Sequence, residues 1–210
     1  MPEGGRVAWH VITAELHTGM LTLAFASAVI RLLGERFTGS HVVWRALVRL
    51  AEPTALLAAI GGLLSLVASI VTGFLYTWPA EVLLTSSVVL NKIALTAFSL
   101  TFWVAFIATR WIYGSGLWAR PHLRWFYVAL ATGGFVTLML VGSTGGHLAG
   151  KRSMLDSTLH YLGINTHLLF TLSRPAVYVI LTAVALALLS ILTARAASGR
   201  SLRRSEAETR

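Results

Sequence analysis

The chain has 210 residues, of which 56% are hydrophobic and only 12% are charged. An ordinary soluble domain has roughly a quarter of its residues charged, and one small core could not bury this much apolar surface. The composition therefore excludes a water-soluble globular protein and indicates one that lies in a lipid bilayer. The net charge of +9 is explained by membrane topology and anionic headgroups, so no nucleic-acid partner is expected.

The chain contains no cysteine. This excludes disulfides, thiolate-bound zinc, cysteine-ligated iron–sulfur clusters and haem attached through a Cys-x-x-Cys-His motif. Any bound metal or haem must therefore be held by His, Met, carboxylates or the backbone. Residues 1–6 lack the basic segment and cleavage site of a signal peptide, so the first apolar segment is expected to remain as a helix.

The apolar segments predict an all-α integral membrane protein, since a bilayer core of about 30 Å needs about 20 helical residues. We expect a four-helix transmembrane bundle plus a fifth transmembrane helix, together forming one domain over residues 1–197. A basic polar tail at 198–210 is expected to be disordered. The predicted spans are approximately 11–33, 54–77, 88–113, 125–142 and 175–194.

The basic residues predict how the spans are oriented. Twelve of the 17 lysines and arginines fall on one side of the predicted spans and five on the other. The positive-inside rule places the richer side in the cytoplasm, with the N-terminus outside and the C-terminus inside. On the inner side, residues 41–50 have the pattern of a short basic amphipathic helix that lies on the membrane surface.

Small and aromatic residues also recur at regular positions. A small residue every fourth position lets a neighbouring helix approach closely, and the alternative is that such faces make room for a flat cofactor. Aromatic belts are expected at both membrane surfaces. The small-residue faces are Gly61, Ser65, Ser69 and Gly73 in the second span and Ala129, Gly133, Thr137 and Gly145 in the fourth. The belts are Trp9, Tyr76 and Trp78 outside and Trp111, Trp118 and Trp125 inside.

Five of the seven histidines fall on the predicted outer side: His10, His17, His147, His160 and His167. The start of the first span and the end of the fourth meet on this side, so His17 and His147 can approach each other. Neutral imidazoles on facing helices are the usual axial ligands of a b-type haem. We therefore predict one haem between His17 and His147, with Lys151 and Arg152 near its propionates. The alternative is that residues 142–146 simply end the helix and His147 lies among headgroups.

The remaining polar residues of the outer side suggest weaker sites. His160 and His167, with Asp156, form a second candidate metal site, and quinone contacts are equally compatible with them. Lys92 is expected to extend toward the outer surface, as lysines near helix ends do. The chain has no P-loop, G-x-S-x-G or H-E-x-x-H motif, so no catalytic residues are predicted.

Two stretches resemble a little-characterised family of prokaryotic membrane proteins, a domain of unknown function associated with cytochrome and respiratory genes. Residues 16–25 (LHTGMLTLAF) are similar to the family's first helix, and residues 143–148 (STGGHL) to its glycine-pair motif. The resemblance covers about residues 10–160 and implies a haem-binding four-helix core, with His17 and His147 as ligand positions. The family's second histidine, five residues after the first, is replaced here by Thr22.

Together these features predict a membrane electron-transfer subunit that holds one b-type haem near the outer face. It would link an external redox partner with quinone or a neighbouring subunit in a prokaryotic inner membrane, as part of an oxidoreductase complex rather than as an enzyme alone. Two alternatives stay open. One is a cofactor-free accessory subunit of a larger respiratory complex, and the other is a histidine-based metal-handling membrane protein.

Overall fold

The computed structural model describes residues 3–34, 42–77, 79–148, 150, 158, 160–161 and 175–189, and these residues are almost entirely helical. The chain begins with the long helices α1 and α2, and a short helix α3 follows. The long helices α4 and α5 come next, and α6 is shorter. The bounds are α1 Glu3–Gly34, α2 Val42–Thr72 with a π-helical turn Gly73–Thr77, α3 Ala80–Thr85, α4 Ser87–Tyr113 with a 3-10 turn Gly114–Leu117, α5 Pro121–Leu148 and α6 Pro175–Leu189.

Four of these helices are long and apolar enough to cross a bilayer: Trp9–Gly34, Val42–Thr77, Ser87–Leu117 and Pro121–Leu148. The four-helix core predicted from the sequence is confirmed. The described part of α6 is about 22 Å long at 1.5 Å per residue, which is less than the bilayer core. Residues 190–194 lie outside the described residues, so the fifth span stays a prediction, and so does the tail at 198–210.

The four long helices form an antiparallel bundle. α1 packs along α2 and α4 along α5, and the two pairs meet where α1 contacts α5 and α2 contacts α4. At one end α1 and α4 begin and α2 and α5 finish; we call this the histidine end, because His10, His17 and His147 lie there. We call the opposite end, which carries Arg31 and Arg110, the arginine end.

The small residues of α2 face α1. The side chain of Met20 lies against Gly61 and that of Leu21 against Gly62, where an added Cβ would clash. The hydroxyl of Ser65 donates a hydrogen bond to the carbonyl oxygen of Thr13 across the interface (3.0 Å). Close helix contact, the first of the two interpretations of this face, is therefore what the structure shows.

Aromatic rings fill the corresponding space between α4 and α5. The ring of Phe102 lies against Gly133 and that of Trp103 against Gly134. Phe106 stacks on Tyr127 with ring centroids 3.9 Å apart. The glycines of α5 thus accommodate flat rings, but the rings belong to the protein itself.

Two helices extend beyond the predicted spans. α2 begins at Val42, upstream of the span predicted from about residue 54, so the segment predicted as a surface helix at 41–50 is, from Val42 onward, the first part of α2. The packing of Val48 against Gly34 and the burial of Ala51 explain this extension. α5 continues to Leu148 rather than ending near 142, because residues 143 and 144 are buried and their packing outweighs the low helix propensity of glycine.

Trp118 does not belong to an aromatic belt. It is 5% exposed, whereas Trp111 and Trp125 of the same predicted belt are about half exposed. Its ring meets Tyr127 edge-on, and the guanidinium of Arg31 lies 5.0 Å from its centroid. The cation–π contact joins α1 to the connection between α4 and α5, and it closes the arginine end of the bundle.

An ion pair between α2 and α4 provides the first testable prediction. Glu52 Oε1 lies 2.5 Å from Arg110 Nη2, and the two side chains are only 18% and 21% exposed. Glu52→Gln leaves the guanidinium without its counter-charge, so we expect a loss of about 2 kcal/mol in the free energy of unfolding. Thermal unfolding in detergent measures this loss.

The double variant Glu52→Gln/Arg110→Gln should lose less than Glu52→Gln alone, because it leaves no unpaired buried charge. Glu15→Gln is the matched control, since Glu15 is an exposed carboxylate on another long helix. A double variant that is less stable than both single variants would contradict the explanation.

Candidate functional site at the histidine end

His17 is buried in the bundle, with 5% of its surface exposed, on the same face of α1 as Leu21, Ala24 and Ala28. Its Nδ1 lies 2.9 Å from the carbonyl oxygen of Thr13, one turn earlier in α1. A carbonyl only accepts hydrogen bonds, so Nδ1 carries the proton and Nε2 carries the lone pair. Within the described residues Nε2 makes no hydrogen bond, and it is therefore available as a metal ligand.

His10 lies two turns before His17 and is tied to α2. Its Nδ1 donates a hydrogen bond to the carbonyl oxygen of Ser69 (3.1 Å) and lies 3.4 Å from the hydroxyl of Thr72. The ring packs over Gly73, where an added Cβ would come within 3.1 Å of the imidazole. The structure thus shows His10 joining the ends of two helices.

Lys92 extends from α4 toward α5. Its Nζ lies 3.0 Å from the position that a Cβ on Gly145 would occupy. The side chain is partly buried, and its charge lies within electrostatic range of both His10 and His17. Lys92 therefore belongs to the inside of the histidine end, although the sequence suggested a lysine extended toward the membrane surface.

His147 lies in the last turn of α5 and is partly buried. Phe135 marks the side of α5 that faces α1, since its ring stacks on Phe25 with centroids 4.4 Å apart. His147 is 12 residues further along α5, which corresponds to a direction about 120° away from that of Phe135. The structure thus brings Lys92 against the last turns of α5, while the pairing of His17 with His147 stays a prediction.

The other candidate ligands lie apart or outside the described residues. His160 is exposed, and Lys151, Arg152, Asp156 and His167 are outside the described residues. In the described part of the chain, no group of three His, Asp or Glu side chains could hold a metal ion. The second metal site proposed around His160 and His167 therefore stays a prediction.

The sequence analysis missed a set of hydroxyl contacts between α1 and α2. The hydroxyls of Thr13 and Thr72 lie 3.3 Å apart, and Thr13 also donates to the carbonyl oxygen of Trp9 (2.9 Å). With Ser65 and Ser69 these groups satisfy one another inside an apolar environment. The pattern could have been found, because Thr13, His10 and His17 lie on one helix face at spacings of three and four residues.

Comparison with family models, with curated proteins and with solved structures finds no match to this chain. The resemblance to a haem-binding membrane family therefore rests on the two short motifs alone. Function has to be argued from the residues of the histidine end.

Proposed function

We propose that this protein is a membrane-embedded electron-transfer subunit that holds one b-type haem at the histidine end. The main support for this proposal is His17, a buried imidazole inside an apolar helix. Its Nδ1–H donates a hydrogen bond to the carbonyl oxygen of Thr13, and its Nε2 makes no hydrogen bond within the described residues. Metal-bound histidines are held in this way, since the bond to the second nitrogen fixes the tautomer and the direction of the ring.

The chemistry of the donor set fits haem on the His17 side. His17 supplies a neutral nitrogen ligand, and the Lys92 ammonium supplies positive charge in the same part of the bundle. A bound b-type haem supplies a one-electron iron couple. The apolar helices around His17 exclude water, and Thr13 keeps the imidazole in the ligating tautomer. Ligation by His147 belongs to the same proposal, whereas contacts of Lys151 and Arg152 with a propionate stay a prediction from the sequence.

The distribution of charge supports an orientation of the protein. Twelve basic residues on the arginine side favour a cytoplasmic location for that end, and the proposal accordingly has the histidine end at the outer face of a prokaryotic inner membrane. The haem would then receive electrons from, or pass them to, an external redox partner. Quinone or a neighbouring subunit would complete the path through the bilayer.

The two alternatives differ in how they fit the contacts. A cofactor-free accessory subunit could use the small-residue faces to contact other subunits, but Gly61, Gly62, Gly133 and Gly134 contact side chains of this chain itself. A metal-handling protein needs several ligands close together, and the described residues contain no such group.

An absorption spectrum of the protein purified in detergent tests the proposal. We expect a Soret band and, after reduction with dithionite, a sharp α band, with about one haem per chain by pyridine haemochrome assay. Protein expressed without added haem precursor should take up haem on titration. A preparation that stays colourless after titration with haem contradicts the proposal, and copper or zinc bound in equal amount to the chain would favour the metal-handling alternative.

A further inference from the structure

Lys92 and two histidines lie inside the histidine end, and no carboxylate among the described side chains lies inside it with them. Lys92, His10 and His17 lie within electrostatic range of one another. The carboxylates at this end whose side chains are described, Glu15 and Glu81, are both exposed on the outside of the bundle. Within the described residues the Lys92 ammonium makes no hydrogen bond or ion pair. A partly buried cation is therefore left without a counter-charge.

Such an arrangement is costly in an apolar environment. Burying a charge is unfavourable unless a group of opposite charge offsets the lost hydration. The last turn of α5 contributes some negative potential near Gly145, but a helix terminus amounts to only about half a charge. The absence of a side chain at Gly145 lets Nζ reach this position. The Lys92 ammonium would therefore be stabilised by an anion bound beside it.

We infer that the Lys92 ammonium binds a carboxylate of the ligand held by His17. The inference rests on the proposed function, in which that carboxylate is a haem propionate. Phe25 of α1 stacks on Phe135 of α5, so His17, eight residues before Phe25, lies at about the level of residue 143 of the antiparallel α5. Lys92 reaches α5 at Gly145, close to the same level, so one ligand between the helices can meet both. The inference assigns to Lys92 the charge-pairing role that the sequence assigned to Lys151 and Arg152.

Comparing the binding of haem with that of its dimethyl ester distinguishes this contact from iron ligation. The ester has the same iron and ring but no carboxylate charge. Each compound is titrated into the detergent-solubilised full chain and binding is followed by absorbance. The wild type should bind haem about tenfold more tightly than the ester, as one charge-assisted contact implies. Lys92→Met should bind both compounds equally, with the affinity that the wild type has for the ester.

Two further variants sharpen the comparison. Lys92→Arg keeps the charge and should retain most of the preference for haem. Arg49→Met removes an exposed charge at the other end of the bundle and should retain the full preference. Thermal unfolding without haem should give Lys92→Met a Tm equal to or above that of the wild type, because removing an unpaired buried charge does not destabilise the fold.

The proposed function and the inference about Lys92 would be contradicted by different binding results. Wild-type protein that binds neither haem nor the ester overturns the proposed function and the inference together. Wild-type protein that binds both equally, or a Lys92→Met variant that still prefers haem, overturns the inference and leaves the haem site intact. A clearly lower Tm of haem-free Lys92→Met also overturns it, since Lys92 would then act in folding, as a charge at the α5 terminus.

Discussion

Gly134→Ala is expected to lower the free energy of unfolding of the bundle by about 1–2 kcal/mol. A Cβ at this position would lie 2.8 Å from both Cε2 and Nε1 of Trp103, a fully buried ring that has no room to move aside. Overpacking of this kind costs about 1–3 kcal/mol, and a glycine-to-alanine change inside a helix would otherwise be favourable by up to about 1 kcal/mol. Reversible unfolding in mixed detergent micelles, or thermal unfolding in detergent, measures the loss.

Gly142→Ala is the matched control, because it is the same substitution in the same helix and an added Cβ there has nothing within 4 Å. We expect it to be neutral or slightly stabilising. Trp103→Leu/Gly134→Ala should recover part of the stability lost by Gly134→Ala relative to Trp103→Leu alone, since the clashing ring is gone. Equal effects of Gly134→Ala and Gly142→Ala would show that the close approach of α4 and α5 is not as described.

The long helices could be predicted from the sequence, because each is an apolar segment whose length is dictated by the bilayer. The residues at which these helices begin and end could not be predicted from the sequence. Residues 42–50 combine two arginines with apolar side chains, a pattern that suits a membrane surface equally well, and only the contact of Val48 with Gly34 shows that they continue α2. The glycine-rich end of α5 has low helix propensity, and the burial of residues 143 and 144 reverses that preference.

The site was predictable in part for a similar reason. His17 was recognisable as a histidine inside an apolar span, which is rarely without a function. Its hydrogen bond to Thr13 is local and follows from helix geometry, one turn apart. The role of Lys92 depends on the contact with Gly145, 53 residues later in the sequence, and such pairing across two helices is not encoded in any local pattern. The direction of His147 likewise depends on where α5 ends.

His17→Ala is expected to remove the haem spectrum altogether. The substitution deletes a buried imidazole whose Nδ1 carries the proton and whose Nε2 is unused. Of the two histidines of α1 that are protonated in this way, His17 is the more deeply buried. We expect the Soret and α bands to be lost from the purified protein, with haem content falling more than tenfold, as seen when a coordination bond is removed.

If His17 only stabilised the fold, its loss would also lower the haem content. The control variant should therefore remove a histidine with similar surroundings in the same helix. His10 lies on the same face of the same helix, is partly buried and is bonded to α2. His10→Ala should lower the Tm, because it breaks the contact with Ser69, and should leave the spectrum unchanged. Adding free imidazole to His17→Ala should restore the bands in part, since the small ligand can occupy the space that the side chain has left.

His147→Ala decides whether a second histidine completes the site. If His147 is the other axial ligand, its loss converts a low-spin spectrum to a high-spin one while haem stays bound through His17. An unchanged spectrum would assign the second position to another group and would agree with the direction in which α5 carries His147. Equal losses of haem in His10→Ala and His17→Ala, without rescue by imidazole, would mean that the spectrum reports helix packing, and the proposed ligand would be wrong.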